Sequence, residues 1–161
     1  MINGNWSKLM IMMLVLPGLM YTTCGKTPVT PNGYRSFSSL PPGQQTKEFG
    51  SYPISKQVDY FIFEFRYVHP FSNSLAFVIA DRGDQAVPYM LNRIKSENDD
   101  RDKLAILYIF KIMFEHDHPT DPQGTLAALR DVVSKMKTPS VKESADGMLG
   151  VIESHSAVSR N

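Results

Sequence analysis

The chain has 161 residues, with 17 basic and 16 acidic side chains and a single cysteine. A charge balance this close to neutral argues against a nucleic-acid-binding protein, which needs a strongly basic face. One cysteine excludes a disulfide bond within the chain, so a folded domain must be stabilised by packing alone.

The first residues have the pattern of an export signal. A polar start with one basic residue, Lys8, precedes an unbroken apolar run from Leu9 to Leu16, and Pro17 and Gly18 end that run. The run is shorter than the roughly 20 apolar residues that span a bilayer, and it is typical of a secretory signal. We therefore predict a signal peptide over residues 1–23.

The only cysteine follows this signal directly. The segment Tyr21-Thr22-Thr23-Cys24 resembles the bacterial lipoprotein signal, although Tyr21 stands where that motif has an aliphatic residue. The resemblance implies that Cys24 is the lipidated first residue of the mature chain, attached to a membrane of the bacterial cell envelope. The alternative is a soluble periplasmic or secreted protein that is cleaved nearby, for example after Gly25.

Residues 24–53 differ in composition from the rest of the chain. From residue 25 onward this segment holds five prolines, four glycines and four serines. Such a composition buries too little apolar surface to offset the entropy of ordering the chain, so it predicts a disordered linker. The alternative is that its aromatic residues, Tyr34, Phe37 and Phe49, dock onto the following domain.

Apolar periodicity and capping residues predict an all-α domain over residues 54–155, with a frayed tail over 156–161. The segment Val58–Val68 is ambiguous, because its aromatic and β-branched residues also suit a strand. We predict a helix there, since no partner strand is evident later in the chain. The helix opened by Asp100 is apolar nearly all round, which predicts the centre of the core. The six predicted helices cover Val58–Val68, Asn73–Arg82, Gln85–Ser96, Asp100–Phe114, Pro122–Lys137 and Ser140–Ser154.

The last four predicted helices form two similar pairs. A shift of about 40 residues superposes the apolar positions of one pair on those of the other, the period of HEAT and armadillo repeats. The segments Gly83–Pro88 and Pro139–Ile152 are similar to parts of a HEAT-like repeat. This resemblance implies a short stack of antiparallel helix pairs, a HEAT-like α-solenoid fragment, which binds other proteins.

One cluster has the residue types of a metal site. It comprises Glu115, His116, Asp117, His118 and Asp121. Two histidines two residues apart at a helix end do not aim at one ion as an i, i+4 pair does. We therefore predict a polar loop between helices, with no metal ligand, cofactor site or catalytic residue in the chain.

These patterns together favour an exported, lipid-anchored scaffold that binds an unidentified protein partner and has no catalytic activity. The alternative function is an envelope metal-binding protein or enzyme that uses the loop from His116 to Asp121.

Overall fold

The computed structural model describes residues 29–116 and 121–158, and the predicted signal peptide and Cys24 lie outside these ranges. The described residues form eight α-helices and one 3₁₀ turn, and they contain no strand. The predicted all-α fold is confirmed. The helices are α1 (Tyr34–Ser38), α2 (Pro42–Ser51), α3 (Ile54–Tyr67), α4 (Asn73–Ala80), α5 (Val87–Ser96), α6 (Asp100–Glu115), α7 (Pro122–Ser134) and α8 (Pro139–Val158).

The helices pack against one another as a stack with α6 at its centre. Helix α6 packs against α3, α4, α5 and α8, while α7 packs against α5 and α8. Its side chains are buried on nearly every side, as the predicted apolar surface requires. The predicted start of this helix is also confirmed, because Asp99 caps it by accepting a hydrogen bond from the N–H of Arg101.

The ambiguous aromatic segment is a helix, as predicted. Helix α3 buries Val58, Phe61 and Ile62 along one side, while Asp59 is exposed between them. Burial in this pattern follows the helical period and not the alternation of a strand. The helix ends at Tyr67, since Val68 is extended ahead of the His69-Pro70 peptide.

The predicted linker over residues 24–53 is wrong for residues 34–51, which form α1 and α2. The rings of Tyr34, Phe37 and Phe49 are buried, so the docking alternative is correct. Burying an aromatic side chain contributes about 1.5–3 kcal/mol, so these three rings supply part of the free energy that opposes the entropy lost in ordering two short helices. Pro42 suits the first turn of α2, so the local proline content marks a helix start there.

Several helix boundaries also differ from prediction: α3 begins at Ile54, four residues before its predicted start, and α7 ends at Ser134, three residues before its predicted end. The predicted helix start at Gln85 is wrong, because residues Gly83–Gln85 form a 3₁₀ turn and α5 begins at Val87. The predicted frayed tail is wrong for residues 156–158, which continue α8. Ser156 is fully buried and accepts a hydrogen bond of 2.7 Å from the side-chain amide of Gln123, so α7 holds the end of α8 in place.

A buried carboxylate connects the start of α6 to the start of α8. Asp100 Oδ2 accepts hydrogen bonds from the backbone N–H groups of Lys137 and Thr138, at 2.7 and 2.8 Å. Its Oδ1 accepts from Lys103 Nζ at 3.1 Å. Burial raises the pKa of Asp100, but these hydrogen bonds outweigh burial and lower that pKa to about 2.

We expect Asp100→Asn to lower the free energy of unfolding by about 2 kcal/mol at neutral pH, because the variant loses the charge that these donors stabilise. The folded pKa of about 2 lies below the ordinary value of 3.8, so this stabilisation is present above that value. It is lost as the pH falls toward 2. Urea unfolding of both proteins across this pH range measures the difference.

The matched control for this prediction is Asp146→Asn. Asp146 is an exposed acid of α8 that pairs with Lys142 at 3.3 Å, four residues earlier. An exposed pair of this kind contributes about 0.3–0.5 kcal/mol. An equal loss of stability in the two variants, or a difference between wild type and Asp100→Asn that is unchanged at low pH, would contradict the role given to Asp100.

Candidate functional site

The described residues of the cluster from Glu115 to Asp121 have separate structural contacts. Glu115 accepts from Lys111 Nζ at 2.7 Å, one helical turn earlier. The ring of His116 lies edge-on to that of Phe77, with 5.5 Å between centroids. Asp121 caps α7 by accepting from the N–H of Gly124 at 2.9 Å.

The other two members of that cluster, Asp117 and His118, lie outside the described residues. Within residues 29–116 and 121–158 there is no group of three or more His, Cys, Asp or Glu side chains that could hold a metal ion. The polar-loop interpretation and its metal-binding alternative both remain predictions.

The aromatic residues of α3 divide between the core and a surface groove. Tyr60 and Phe61 are fully buried, whereas Phe63 and Phe65 are half-buried and Tyr67 is exposed. The ring of Phe65 packs against Phe71, with 4.9 Å between centroids. The outward side of the helix is therefore apolar enough to form the floor of a binding surface.

A groove of about 370 Å³ lies where the end of α3 meets the first turns of α6 and α8. We call it the α3–α8 groove. Three apolar side chains and five polar ones line it, and none of these described residues is an acid. The apolar residues are Phe65, Leu104 and Val141, and the polar ones are Arg66, His69, Arg101, Ser140 and Ser144.

The two arginines of the groove have different surroundings. Arg66 Nη1 pairs with Asp102 at 2.8 Å and with Asp99 at 3.0 Å. Burial alone would lower the pKa of Arg66, but these two carboxylates raise it above its ordinary value, so the guanidinium stays charged. Its Nε is buried and has no hydrogen-bond partner among the described residues.

The side chain of Arg101 is exposed on the first turn of α6 and forms no ion pair with any residue that the structure describes. Five N–H donors of one guanidinium are thus available at the edge of an apolar surface. Such a donor set suits a carboxylate, which a guanidinium binds with two parallel hydrogen bonds. The groove therefore combines an apolar floor with a group of donors that suits a carboxylate.

Sequence patterns did not identify this groove because its residues come from three distant segments. Phe65–His69, Arg101–Leu104 and Ser140–Ser144 share no local motif, and each belongs to a different helix or helix end. One signal was present: Arg101 is the single cation within the acidic cluster Asp99–Asp102.

No protein family matches this chain, and neither does any curated protein or solved structure. Among the described residues, no helix is both long enough and apolar enough to cross a membrane.

Proposed function

We propose that this chain is an exported, lipid-anchored module that binds an acidic segment of another envelope protein in the α3–α8 groove. The observation that carries this proposal is the polar rim of the groove, which consists of Arg66, His69, Arg101 and two serines beside an apolar floor. Cationic groups at the edge of such a surface orient a charged partner, and the apolar floor buries apolar side chains of that partner.

Two features of the sequence support export and anchoring. Residues 1–23 have the charge and length of a secretory signal, and Cys24 stands where the lipoprotein signal places its lipidated cysteine. The paired helices, with their period near 40 residues, support a HEAT-like scaffold, since stacked helix pairs commonly present extended surfaces to partners.

The two parts of the groove would contribute differently to binding. The half-buried ring of Phe65 and the half-buried aliphatic side chain of Leu104 offer apolar surface to a partner. Burial of such surface contributes about 25 cal/mol of binding free energy per Å² removed from water. Arg101 is exposed, so its charge mainly accelerates association and rejects basic partners. Arginine is also enriched among the residues that dominate binding energy at protein interfaces.

The experiment is capture from detergent-solubilised membranes with the full-length protein as bait. We expect a partner to be retained by the wild type and lost with Arg101→Glu, because the variant places a like charge opposite the acidic segment. Retention should weaken as salt rises, since exposed charges are screened beyond about 10 Å at 0.1 M salt.

The matched control is Lys47→Glu, a charge reversal on the exposed side of α2 and outside the groove. It should retain the partner as the wild type does. If Arg101→Glu captures the same protein equally well, the groove is not the binding surface. If the captured segment is basic, the proposed chemistry is wrong.

A further inference from the structure

The structure fixes the point at which the chain enters the folded body. The carbonyl oxygen of Asn32 accepts a hydrogen bond of 2.7 Å from Tyr60 Oη, and Tyr34 Oη donates to Glu64 at 3.1 Å. Between them, Gly33 has a φ of 77°, which turns the chain into α1. The folded body therefore begins no later than Asn32 and is attached there to α3.

This attachment limits how far the body can lie from Cys24. Seven residues lie between Cys24 and Asn32, and the eight Cα–Cα steps that join these two residues span at most about 29 Å in a fully extended chain. A compact body of this size has a radius of gyration of about 14 Å, and hence a diameter of roughly 36 Å. The available tether is shorter than the body that it holds.

Apolar side chains are exposed around the entry point. Val29 is 89% exposed and Tyr67 is 43% exposed. Both line a second cavity of about 300 Å³, together with Pro31 and Phe63. Aromatic rings with a polar edge, such as that of Tyr67, are favoured at the boundary between a membrane and water.

Two basic side chains lie near this entry point. Arg35 lies on α1 and Lys56 Nζ lies 3.5 Å from the centroid of the Tyr52 ring; neither forms an ion pair with any described residue. The nearby acids accept side-chain hydrogen bonds, Glu48 from the hydroxyl of Tyr52 among them. Asp59 pairs with Arg93 at 3.2 Å, and the buried Glu64 accepts from Tyr34 Oη.

We propose that this N-terminal face, formed by Val29, Arg35, Lys56 and Tyr67, rests on the anionic phospholipid surface of the membrane that holds the anchor. The inference depends on the proposed lipidation of Cys24, because the short tether brings this face to the bilayer. The exposed Arg35 and the half-buried Lys56 are attracted to anionic headgroups, and the exposed tyrosine and valine suit the boundary between membrane and water.

The test uses the full-length lipidated protein in vesicles of phosphatidylcholine mixed with phosphatidylglycerol. Cys24 is the only cysteine and would be occupied by lipid, so Ser36→Cys and Ala127→Cys each introduce one site for a fluorescent label. Ser36 is exposed beside Arg35, and Ala127 is exposed on α7, which packs against α5 and α8. Phospholipids with a nitroxide on the headgroup then quench whichever label lies near the surface.

We expect the label at position 36 to be quenched roughly twofold or more above the label at position 127. Adding Arg35→Glu and Lys56→Glu should reduce that difference, whereas Lys47→Glu should leave it unchanged. Vesicles of phosphatidylcholine alone should also reduce it. Equal quenching at both positions in anchored protein would overturn the inference.

Membrane fractionation separates this failure from failure of the anchor. Wild-type protein should be recovered with membranes, and Cys24→Ser should be recovered in the soluble fraction. If the wild type is soluble, the proposed anchor is wrong and the inference falls with it. If the wild type is anchored but position 36 is no more quenched than position 127, the anchor stands and the orientation is wrong.

Discussion

Replacing Phe49 by alanine is expected to lower the free energy of unfolding by about 3–5 kcal/mol, the usual cost of removing a buried phenyl ring. Phe49 is fully buried on α2, and its ring packs against that of Phe37 with 5.9 Å between centroids. Its carbonyl oxygen accepts a hydrogen bond of 2.6 Å from Gln57 Nε2 on α3. The change would therefore leave a cavity beside Phe37, where α1 and α2 pack together, and urea unfolding of the purified variant measures the cost.

The control for this prediction is Phe77→Ala on α4. Phe77 is 39% exposed, so its removal leaves no closed cavity and should cost clearly less. The comparison tests whether residues 34–51 belong to the folded body. If Phe49→Ala were as mild as Phe77→Ala, these residues would act as a spacer after all, and the short tether to the membrane would no longer follow.

Replacing Leu107 by alanine is expected to cost about 2–5 kcal/mol, because α6 is the helix against which most of the body packs. Leu107 is fully buried in the middle of that helix, and its neighbours Ile106 and Phe110 are fully buried too. Close packing on all sides limits how far the surroundings can relax into the vacated space. We expect the variant to unfold cooperatively at a lower denaturant concentration than the wild type. The slope of the unfolding free energy against denaturant concentration should be unchanged.

Leu91→Ala removes the same atoms from a half-buried position on α5. Because that site is partly open to water, we expect a cost nearer 1 kcal/mol, typical of point substitutions in general. Equal and small effects of the two substitutions would contradict the central place of α6. A changed slope in Leu107→Ala alone would indicate that the variant has lost part of its compact structure, not only stability.

Most helices could be predicted from the sequence because their signals are local. The caps at Asp99 and Asp121 act on backbone groups within three residues. The apolar stripe of α6 has the period of the helix that it forms. Such features depend on neighbours in sequence, so they can be read without knowing the fold. The HEAT-like pairing rests on a longer pattern, and it remains a proposal.

The error at residues 34–51 shows where local signals are insufficient. The proline and glycine content predicts a spacer, and the alternative is that Tyr34, Phe37 and Phe49 dock onto the following domain. Whether three aromatic side chains offset the entropy of ordering depends on the surface available to them. That surface belongs to α3, where Tyr60 contacts the ring of Phe37 with 5.2 Å between centroids. Composition alone does not contain this distant partner.

The sequence by itself determined that the chain is helical and that α6 is central. It also showed that the first 24 residues of the chain resemble an export and lipidation signal. Only the tertiary structure decided that α1 and α2 belong to the body, which shortens the proposed tether from Cys24. It alone brought Arg66, Arg101 and Ser140 to one groove, from segments about 35 to 40 residues apart. The physical reason is range: helix periodicity and capping act over a few residues, whereas burial and groove formation require surfaces that meet only when the helices pack.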